Sequence, residues 1–449
     1  MKPQALLSAG ESDVIIIGAG IAGLGAALRL ARAGRRVLVL EARDRAGGRI
    51  LSVPQRGFDV AAELGAEFVH GGNALLRAAL REAGMRIERV RRDLWARDGC
   101  EWRRQHAYWR DLARLAARIP PRTRISFARF LHGQRRLASD ERARWVAYAE
   151  GFNASPAGRL SAETVRLEHG GVDAPQSRPA GGYGTLVESL VARLRAAGGE
   201  LRLGEAVSAL RWRRGAVELR TRRRTYRAAA AIVTLPLGVL RARAVRFAPV
   251  LREKEKIVRR LGWGQVARVT LRFDAGFWRS GIVPDELRKR GKPAFGFLSM
   301  TESEFPTWWA PSPRAPLLVA WQGGPRTQPV LRRSPGQIVT RALHSLAKGW
   351  GCSVQELRQH LRGSWTHNWS RDPFARGAYS YPVAGFEQGP ERLARSVAGT
   401  LFFAGEATAE ELGTVHGALA SGVRAAEEIL DTKPGSRRAR RRRRRKPTP

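Results

Sequence analysis

The chain has 449 residues, of which 43% are hydrophobic, and it carries a formal net charge of +40 at pH 7. This length suits two or three domains, and two cysteines, Cys100 and Cys352, cannot form a disulfide framework. The longest apolar stretch, residues 14–31, is rich in glycine and ends at arginines, so we expect no membrane span. The N-terminus lacks the pattern of a secretory signal, which favours a cytoplasmic protein.

A strand, a glycine turn, a helix and a second strand follow one another near the N-terminus. Residues 14–17 are all apolar, as a buried parallel strand requires. Residues 21–33 have helical spacing and end at Gly34. Residues 36–40 then form a second apolar strand that leads into Glu41. This order predicts one βαβ unit.

The turn of this unit, at residues 18–23, has the sequence Gly-Ala-Gly-Ile-Ala-Gly and fits the dinucleotide-binding fingerprint. Gly18 allows the tight turn, Gly20 lets the backbone approach a pyrophosphate, and Gly23 permits close packing of the helix on the strand. Glu41 stands at the end of the second strand, where a carboxylate can accept hydrogen bonds from a ribose. A glycine-rich turn that only joins two elements is the alternative, which the flanking strands and Glu41 disfavour.

The rest of the chain alternates between two kinds of segment. Residues 73–180 are mostly amphipathic helical patterns, and residues 245–396 hold short strands and many prolines. Residues 1–72, 181–244 and 397–432 carry the βαβ unit, a glycine-led helix with short strands, and a last strand with a long helix. We therefore predict an α/β fold of two domains. A doubly wound, Rossmann-like cofactor domain is assembled from three segments, and a mixed sheet and helix substrate domain from the other two.

Residues 433–449 are rich in arginine and proline and predict a disordered tail. The run from Arg437 to Lys446 is almost entirely basic. A high arginine content with a solvated tail is the favoured interpretation of this charge. Non-specific contact with polyanions through this run stays open as the alternative.

Several segments in chain order resemble the flavin-containing amine oxidase family. They are residues 41–49 (Glu-Ala-Arg-Asp-Arg-Ala-Gly-Gly-Arg), 64–71 (Leu-Gly-Ala-Glu-Phe-Val-His-Gly), 181–190, 233–240, and 403–406 with 413–418. Together they extend over nearly the whole chain. The resemblance implies FAD as the cofactor. It also implies that the flavin is non-covalent, because residues 372–381 lack the cysteine that covalent monoamine oxidases carry there.

The resemblance implies a cofactor role for residues along the whole chain. The family's acidic residue at Glu41 holds the ribose, Arg43 and Arg49 lie near the adenosine and pyrophosphate, and Val207 meets the adenine. For Arg43 and Glu406 a plain surface ion pair is the alternative. The predicted cofactor-binding residues are Gly18, Gly20, Ala22, Gly23, Glu41, Arg43, Gly48, Arg49, Glu67, Phe68, Val207, Glu406, Thr414 and Val415.

The predicted catalytic residues are Arg268, Tyr379, Tyr381 and His70, and no metal site is predicted. The resemblance places both tyrosines in a stretch of aromatic residues against the flavin, and it aligns His70 with the substrate tunnel of polyamine oxidases. Arg268 departs from the family, which usually has a lysine there that holds a water at flavin N5 and assists reoxidation. Thr414 begins a helix, with Val415, whose positive end would stabilise reduced flavin.

The expected function is FAD-dependent oxidation of a C–N bond in a small-molecule amine. A hydride passes to flavin N5, water hydrolyses the imine, and O2 is reduced to H2O2. A first alternative is an amino acid oxidase or a biosynthetic desaturase or dehydrogenase of the same fold. Arg268 keeps this alternative open, and so does the positive charge of the chain, which would repel polyamines. A second is a non-catalytic flavoprotein or polyanion-binding protein that uses the basic tail. Thr414 matches lysine-specific histone demethylases, but their stalk and N-terminal module have no room here, so chromatin demethylation is not expected.

Overall fold

The computed structural model of the chain describes residues 12–71, 73–169 and 176–431. Its first sheet has eight strands. Seven of them run in the order Arg246–Ala248, Ala209–Arg213, Ala216–Arg220, Thr225–Val233, Ser12–Ile17, Val37–Leu40 and Glu200–Arg202. The eighth, Leu401–Phe403, pairs in parallel with the strand Thr225–Val233.

The predicted βαβ unit lies at the centre of this sheet. The strand Ser12–Ile17 pairs in parallel with Thr225–Val233 on one side and Val37–Leu40 on the other. Because it has a neighbour on each side and packing on both faces, its last four residues are buried, as the apolar run predicts. The helix Ile21–Arg32 follows the glycine turn directly.

Helices cover one face of the first sheet. They are Ile21–Arg32, Gly184–Ala196 and Val415–Asp431, and their apolar faces share one core. The first and last of them touch closely, since a Cβ on Gly422 would lie 2.0 Å from the carbonyl oxygen of Ala22. The opposite face packs on side chains of the antiparallel strands, including Leu210, Leu219 and Tyr226.

A second sheet of seven strands builds the other half of the molecule. Its order is Leu361–Trp365, Val266–Phe273, Leu317–Gly323, Thr307–Trp309, Phe297–Ser299, Leu94–Asp98 and Glu101–Arg104. The helix Pro335–Trp350 packs on this sheet through an apolar core. A capping box, in which Ser334 and Gln337 bond each other's backbone, begins this helix.

In its described residues, the helical region predicted at residues 73–180 contains five helices and two antiparallel strand pairs, of which one, Ile87–Arg89 with Ser177–Pro179, is short and the other is the larger departure from the prediction. The helices are Ala74–Glu82, Tyr108–Ala117, Phe127–Gly133, Ser139–Asn153 and Ala162–His169. The larger departure is the antiparallel pair Leu94–Asp98 and Glu101–Arg104, which joins the second sheet by pairing in parallel with Phe297–Ser299. That partner lies about two hundred residues away in sequence, so a local pattern could not indicate it.

The remaining elements are short. The helices are Leu237–Arg241, Arg252–Arg260, Gln328–Leu331, Val354–His360 and Gly389–Ala394, with 3-10 turns at Phe277–Arg279, Asp285–Leu287, Pro325–Thr327 and Glu406–Thr408. Two-stranded pairs are Ser52–Pro54 with Ala61–Glu63, Ile87–Arg89 with Ser177–Pro179, Gly262–Trp263 with Ser380–Tyr381, and Arg288–Lys289 with Lys292–Pro293. Within the described ranges, none of the helices is long and apolar enough to cross a bilayer.

This architecture confirms the predicted α/β class with its Rossmann-like sheet and a second part of sheet and helix. The first sheet draws its strands from residues 12–40, 200–248 and 401–403, and the second from residues 94–104 and 266–365. The domain boundaries given above stay predictions. The predicted tail, residues 433–449, lies outside the described residues, and so does its basic run.

Candidate active site

A cavity of about 2390 Å³ extends between the two sheets and the helical region. Most of the predicted site residues line it. They are Gly18, Gly20, Ala22, Glu41, Arg43, Gly48, Arg49, Glu67, Phe68, His70, Val207, Arg268, Tyr379, Glu406, Thr414 and Val415. The fold therefore brings together, around one space, residues separated by almost four hundred positions in sequence.

The glycine turn forms one end of this cavity. Gly18 has φ +104°, and a Cβ there would lie 2.7 Å from Oγ1 of Thr234. A Cβ on Gly23 would lie 1.9 Å from the carbonyl oxygen of Gly18, so Gly23 serves helix packing and does not line the cavity. A Cβ on Gly20 would meet no atom within 4 Å. The turn thus leaves open space beside Gly20, where a pyrophosphate fits at the start of a helix.

Glu41 closes the turn from the end of the neighbouring strand. Its carboxylate accepts hydrogen bonds from the backbone N–H of Ala19 at 2.8 Å and of Arg43 at 2.9 Å. These bonds hold a buried carboxylate on the cavity wall, in the position that suits a ribose hydroxyl. The donor set and the open space beside Gly20 both fit an adenine dinucleotide.

Arg43 and Arg49 are held by acidic residues from the far end of the chain. Arg43 Nη2 donates to Oδ1 of Asp372 at 2.7 Å, and Arg49 Nη1 donates to Oε1 of Glu406 at 2.9 Å. All four side chains are largely buried, so these are internal ion pairs and not the surface pairs of the alternative interpretation. Burial alone would raise the pKa of Asp372, but hydrogen bonds from His367 and Arg43 hold that pKa below its usual range.

Glu406 ties three segments together at the centre of the site. Its Oε2 accepts from Ser380 Oγ at 2.5 Å and from the backbone N–H of Gly413 at 3.0 Å. Next to Gly413, Thr414 Oγ1 accepts from the backbone N–H of Gly417 at 3.0 Å and caps the helix Val415–Asp431. The start of that helix lies on the cavity wall.

Arg268 belongs to a buried cluster that the sequence did not indicate. Its Nη2 lies 2.5 Å from Oε2 of Glu67, and Arg178 Nη1 lies 3.0 Å from Oε1 of the same carboxylate. Trp309 Nε1 also donates to Glu67 at 3.0 Å, and the Arg268 guanidinium lies over its ring. Both oxygens of Glu67 are therefore engaged by protein donors, so this side chain acts on the cavity by positioning Arg268. Arg178 stands outside every recognisable motif.

His70 lines the cavity between aromatic rings. Its ring centroid lies 6.1 Å from those of Phe68 and Phe152. Burial and the neighbouring His416 lower the pKa of His70 to about 4, so its imidazole is neutral at pH 7. His416 lies in the first turn of the helix Val415–Asp431 and hydrogen-bonds Glu411, which precedes that helix. This contact is in keeping with a structural role.

The aromatic residues of the predicted flavin-facing stretch separate into two groups. Tyr379 lines the cavity and donates a hydrogen bond to the carbonyl oxygen of Phe152 at 2.7 Å. Tyr381 is buried in the core of the helical region and is not among the described residues of the cavity wall. Tyr379 lies just before the strand Ser380–Tyr381, whereas Tyr381 packs in that strand against Gly262, whose missing side chain leaves room for its ring. The structure therefore gives Tyr381 no contact with the cavity.

Glu63 is a buried carboxylate beside the site that the sequence analysis missed. It accepts hydrogen bonds from Ser52 Oγ at 2.7 Å and from the backbone N–H of Tyr183 at 2.6 Å. Burial raises the pKa of Glu63 to about 7, although these hydrogen bonds lower it. The folded protein therefore holds this proton more tightly than the unfolded chain, in which the pKa of Glu63 is about 4.5.

We expect Glu63→Gln to change how stability depends on pH. The raised pKa of Glu63 contributes to the stability of the folded protein. This contribution is fully present below pH 4.5 and is lost as pH rises through about 7. Denaturant unfolding should show wild type and variant close together at pH 4.5, and the variant more stable by up to about 3 kcal/mol above pH 7. A constant difference at all pH values would contradict this assignment. Glu253→Gln, at a fully exposed carboxylate, is the control.

A glycine turn at a helix start, an acidic strand end and a long cavity that reaches a second helix start are the features of a dinucleotide-binding fold. In the described part of the chain, no cluster of three metal-ligating side chains is present. Residues 21–430 match the family model described as "Flavin containing amine oxidoreductase". The chain therefore belongs to this flavoprotein family.

Comparisons with individual proteins agree with this assignment. The chain is 31% identical to lysine-specific histone demethylase 1 homolog 2 of Arabidopsis thaliana, over 94% of this chain and 58% of that protein. It is 26% identical to polyamine oxidase 2 of Arabidopsis thaliana, over 95% of this chain and 91% of that protein. It thus spans little more than half of the demethylase relative. A putrescine oxidase structure bound to putrescine superposes with a TM-score of 0.76 and 22% identity, covering 94% of this chain and 99% of that chain, which shows a shared fold.

Proposed function

We propose that the protein is an FAD-dependent amine oxidase with a non-covalent flavin. The observation that carries this proposal is the single cavity that joins the open space at Gly20 to the helix start at Thr414, with aromatic rings along its wall. Neither Cys100 nor Cys352 is among the described residues that line this cavity, which supports a non-covalent cofactor. When bound, FAD would supply the acceptor for a hydride from the carbon next to the amine nitrogen.

Several residues would hold the cofactor along its length. Glu41 would accept from the ribose, the N–H groups beside Gly20 would meet the pyrophosphate, and Val207 would line the adenine end. Arg49 would place positive charge near the phosphates while Glu406 fixes its position. The N–H groups at the start of the helix Val415–Asp431 would favour negative charge on the reduced ring.

The residues around the substrate would work by positioning and by excluding water. A neutral amine is required for hydride loss, and the neutral His70 and the ring of Tyr379 offer faces that suit an amine nitrogen. Arg268 is held by Glu67 and by the carbonyl oxygen of Gly65, at 3.1 Å, and so keeps a fixed positive charge at the wall. Water would hydrolyse the imine, and O2 would accept the electrons to give H2O2.

We expect the purified protein to be yellow and to lose its flavin absorption under anaerobic conditions when a suitable amine is added. The panel should contain n-alkylamines, α,ω-diamines, N-alkylated amines, a methylated lysine peptide and L-amino acids, because the relatives include enzymes named for several of these classes. Admitting air should restore the absorption and produce H2O2 in proportion to the amine. Bleaching by amino acids alone would favour the amino acid oxidase alternative, and no bleaching by any compound would overturn the proposal.

A further inference from the structure

Exposed arginines are concentrated on the antiparallel part of the first sheet. Residues 209–227 contain eight arginines and a single acidic residue, Glu218. This share of basic residues is more than twice that of the whole chain, which has 80 in 449. The residues form two complete strands and the start of Thr225–Val233, and the strand Arg246–Ala248 pairs beside them. The charge therefore lies on regular structure with fixed spacing.

Alternation along these strands directs the apolar side chains inward and the arginines outward. Leu210, Leu219 and Tyr226 are buried in the core beneath the sheet. The opposite side of the same strands faces solvent. Its exposed basic residues, here called the arginine face, are Arg211, Arg213, Arg220, Arg227 and Arg246.

The sheet register fixes the distances between the charges of the arginine face. Arg220 and Arg246 flank the same residue of the strand between them, so their backbones are about 10 Å apart. In the next row of the sheet, Arg211 and Arg227 flank Glu218 in the same way. Successive rows are about 6.8 Å apart along the strands. The face thus presents a flat, regular array of guanidinium groups.

Most of these guanidinium groups have no acidic neighbour. Glu218 is the one carboxylate at the outward strand positions, and its Oε2 pairs with Nη2 of Arg227 at 2.9 Å. Among the described residues, no acidic side chain lies within 4.0 Å of the other four arginines of the face. Exposed arginines in the adjoining turns, Arg214 and residues 222–224, add to the charge. The positive charge of this surface is therefore available to an anionic partner.

The composition of the arginine face favours a phosphate backbone over other anionic partners. Guanidinium groups bind phosphate with two parallel hydrogen bonds. Protein interfaces and membrane-inserting surfaces use aromatic or large aliphatic anchors. The outward positions of these strands carry only arginine, alanine, threonine and glutamate, and the exposed Val250 lies beyond the last strand. Because no aromatic ring at these positions offers a base a stacking surface, the contacts would be with phosphates.

We propose that the arginine face binds the phosphodiester backbone of double-stranded nucleic acid without reading its sequence. Phosphates recur about every 3.4 Å along each strand of a duplex. Long arginine side chains that start about 7–10 Å apart on a rigid sheet reach several of these phosphates at once. This inference goes beyond the proposed amine oxidation and does not depend on it.

Binding of the full-length protein to fluorescently labelled DNA and RNA duplexes, measured by anisotropy over a series of salt concentrations, tests the proposal. The face variant keeps Arg227, so that Glu218 retains its partner. It combines four substitutions, Arg211→Gln, Arg213→Gln, Arg220→Gln and Arg246→Gln. We expect its association constant to fall at least roughly tenfold at about 0.1 M salt. The slope of log K against log salt should become shallower by about 3–4, or about one for each lost phosphate contact.

A matched control variant removes the same charge from the helical region. It replaces four exposed arginines that are not among the described residues of the cavity wall. The substitutions are Arg118→Gln, Arg129→Gln, Arg135→Gln and Arg136→Gln. This variant should change the salt slope by less than about one. Both variants should have wild-type circular dichroism, because all the replaced side chains are exposed.

Two further measurements separate the arginine face from other sources of attraction. Deleting residues 433–449 removes the basic tail, and the difference between the face variant and the control variant should persist in the shortened proteins. Vesicles of phosphatidylserine and phosphatidylcholine should bind both variants equally, because the face has no aliphatic anchor at its outward strand positions.

The outcomes either support or overturn the assignment. An equal loss of duplex binding in both variants would show that total charge alone attracts nucleic acid, and the proposal would fail. It would also fail if the difference vanished on deletion of residues 433–449, or if the face variant lost vesicle binding and kept duplex binding. A loss confined to the face variant, and equal for duplexes of unrelated sequence, would establish the arginine face as a nucleic-acid-binding surface.

Discussion

Gly20→Val is expected to abolish flavin binding and leave the fold intact. The backbone of Gly20 has φ −70° and ψ 175°, which any residue adopts, and a Cβ there meets no protein atom within 4 Å. The new side chain would enter the space in which we place the pyrophosphate. We expect the variant to fold with wild-type circular dichroism, to be purified colourless, and to bind added FAD at least roughly a hundredfold more weakly.

Gly336→Val is the matched control, because Gly336 is exposed and a Cβ there also meets nothing within 4 Å. This variant should retain its flavin fully. Gly23→Val should instead prevent folding, since a Cβ there lies 1.9 Å from a backbone oxygen. A yellow Gly20→Val protein with wild-type affinity for FAD would show that the dinucleotide does not follow this turn.

Glu67→Gln is expected to cost about 3–5 kcal/mol of the free energy of unfolding, the range for removing one partner of a buried charge cluster. Arg178 and Arg268 both pair with this carboxylate, and all three side chains are at most 8% exposed. Without the negative charge, two buried guanidinium groups would remain side by side. Urea unfolding at pH 7 measures this loss.

A double variant tests whether the loss comes from unpaired charge. Adding Arg178→Met to Glu67→Gln removes one of the two cations, so the double variant should recover part of the lost stability. Glu253→Gln, which breaks an exposed pair with Lys256, should cause no measurable change. Equal stability of wild type and Glu67→Gln would contradict the cluster, and a further loss in the double variant would show that packing of Arg178 over Phe68 dominates.

Much of the cofactor end of the site could be predicted from local sequence. The strand, glycine turn and helix at residues 14–33 are adjacent in the chain, and their conformation depends on neighbouring residues, so periodicity and glycine positions suffice. The helix ending at Asp431 was predicted for the same reason. The resemblance to the flavin amine oxidase family rests on such segments, and the family match confirms it.

The substrate end could not be predicted in this way. The sequence placed Tyr379 and Tyr381 together, but only Tyr379 reaches the cavity, because Gly262 on a distant strand makes room for the other ring. The pairing of Leu94–Asp98 with Phe297–Ser299 was missed because its partner is remote.

By itself the sequence determined the βαβ unit and the family of the protein, and it predicted the positions that would hold a dinucleotide. These features depend on short-range backbone conformation, which the local order of glycines and apolar residues specifies. Only the tertiary structure decided which charges neutralise one another. Arg43 pairs with Asp372, and Arg268 shares Glu67 with Arg178. In a chain with so many arginines, spacing cannot select partners, because the pairs form only when packing places them together and removes them from water.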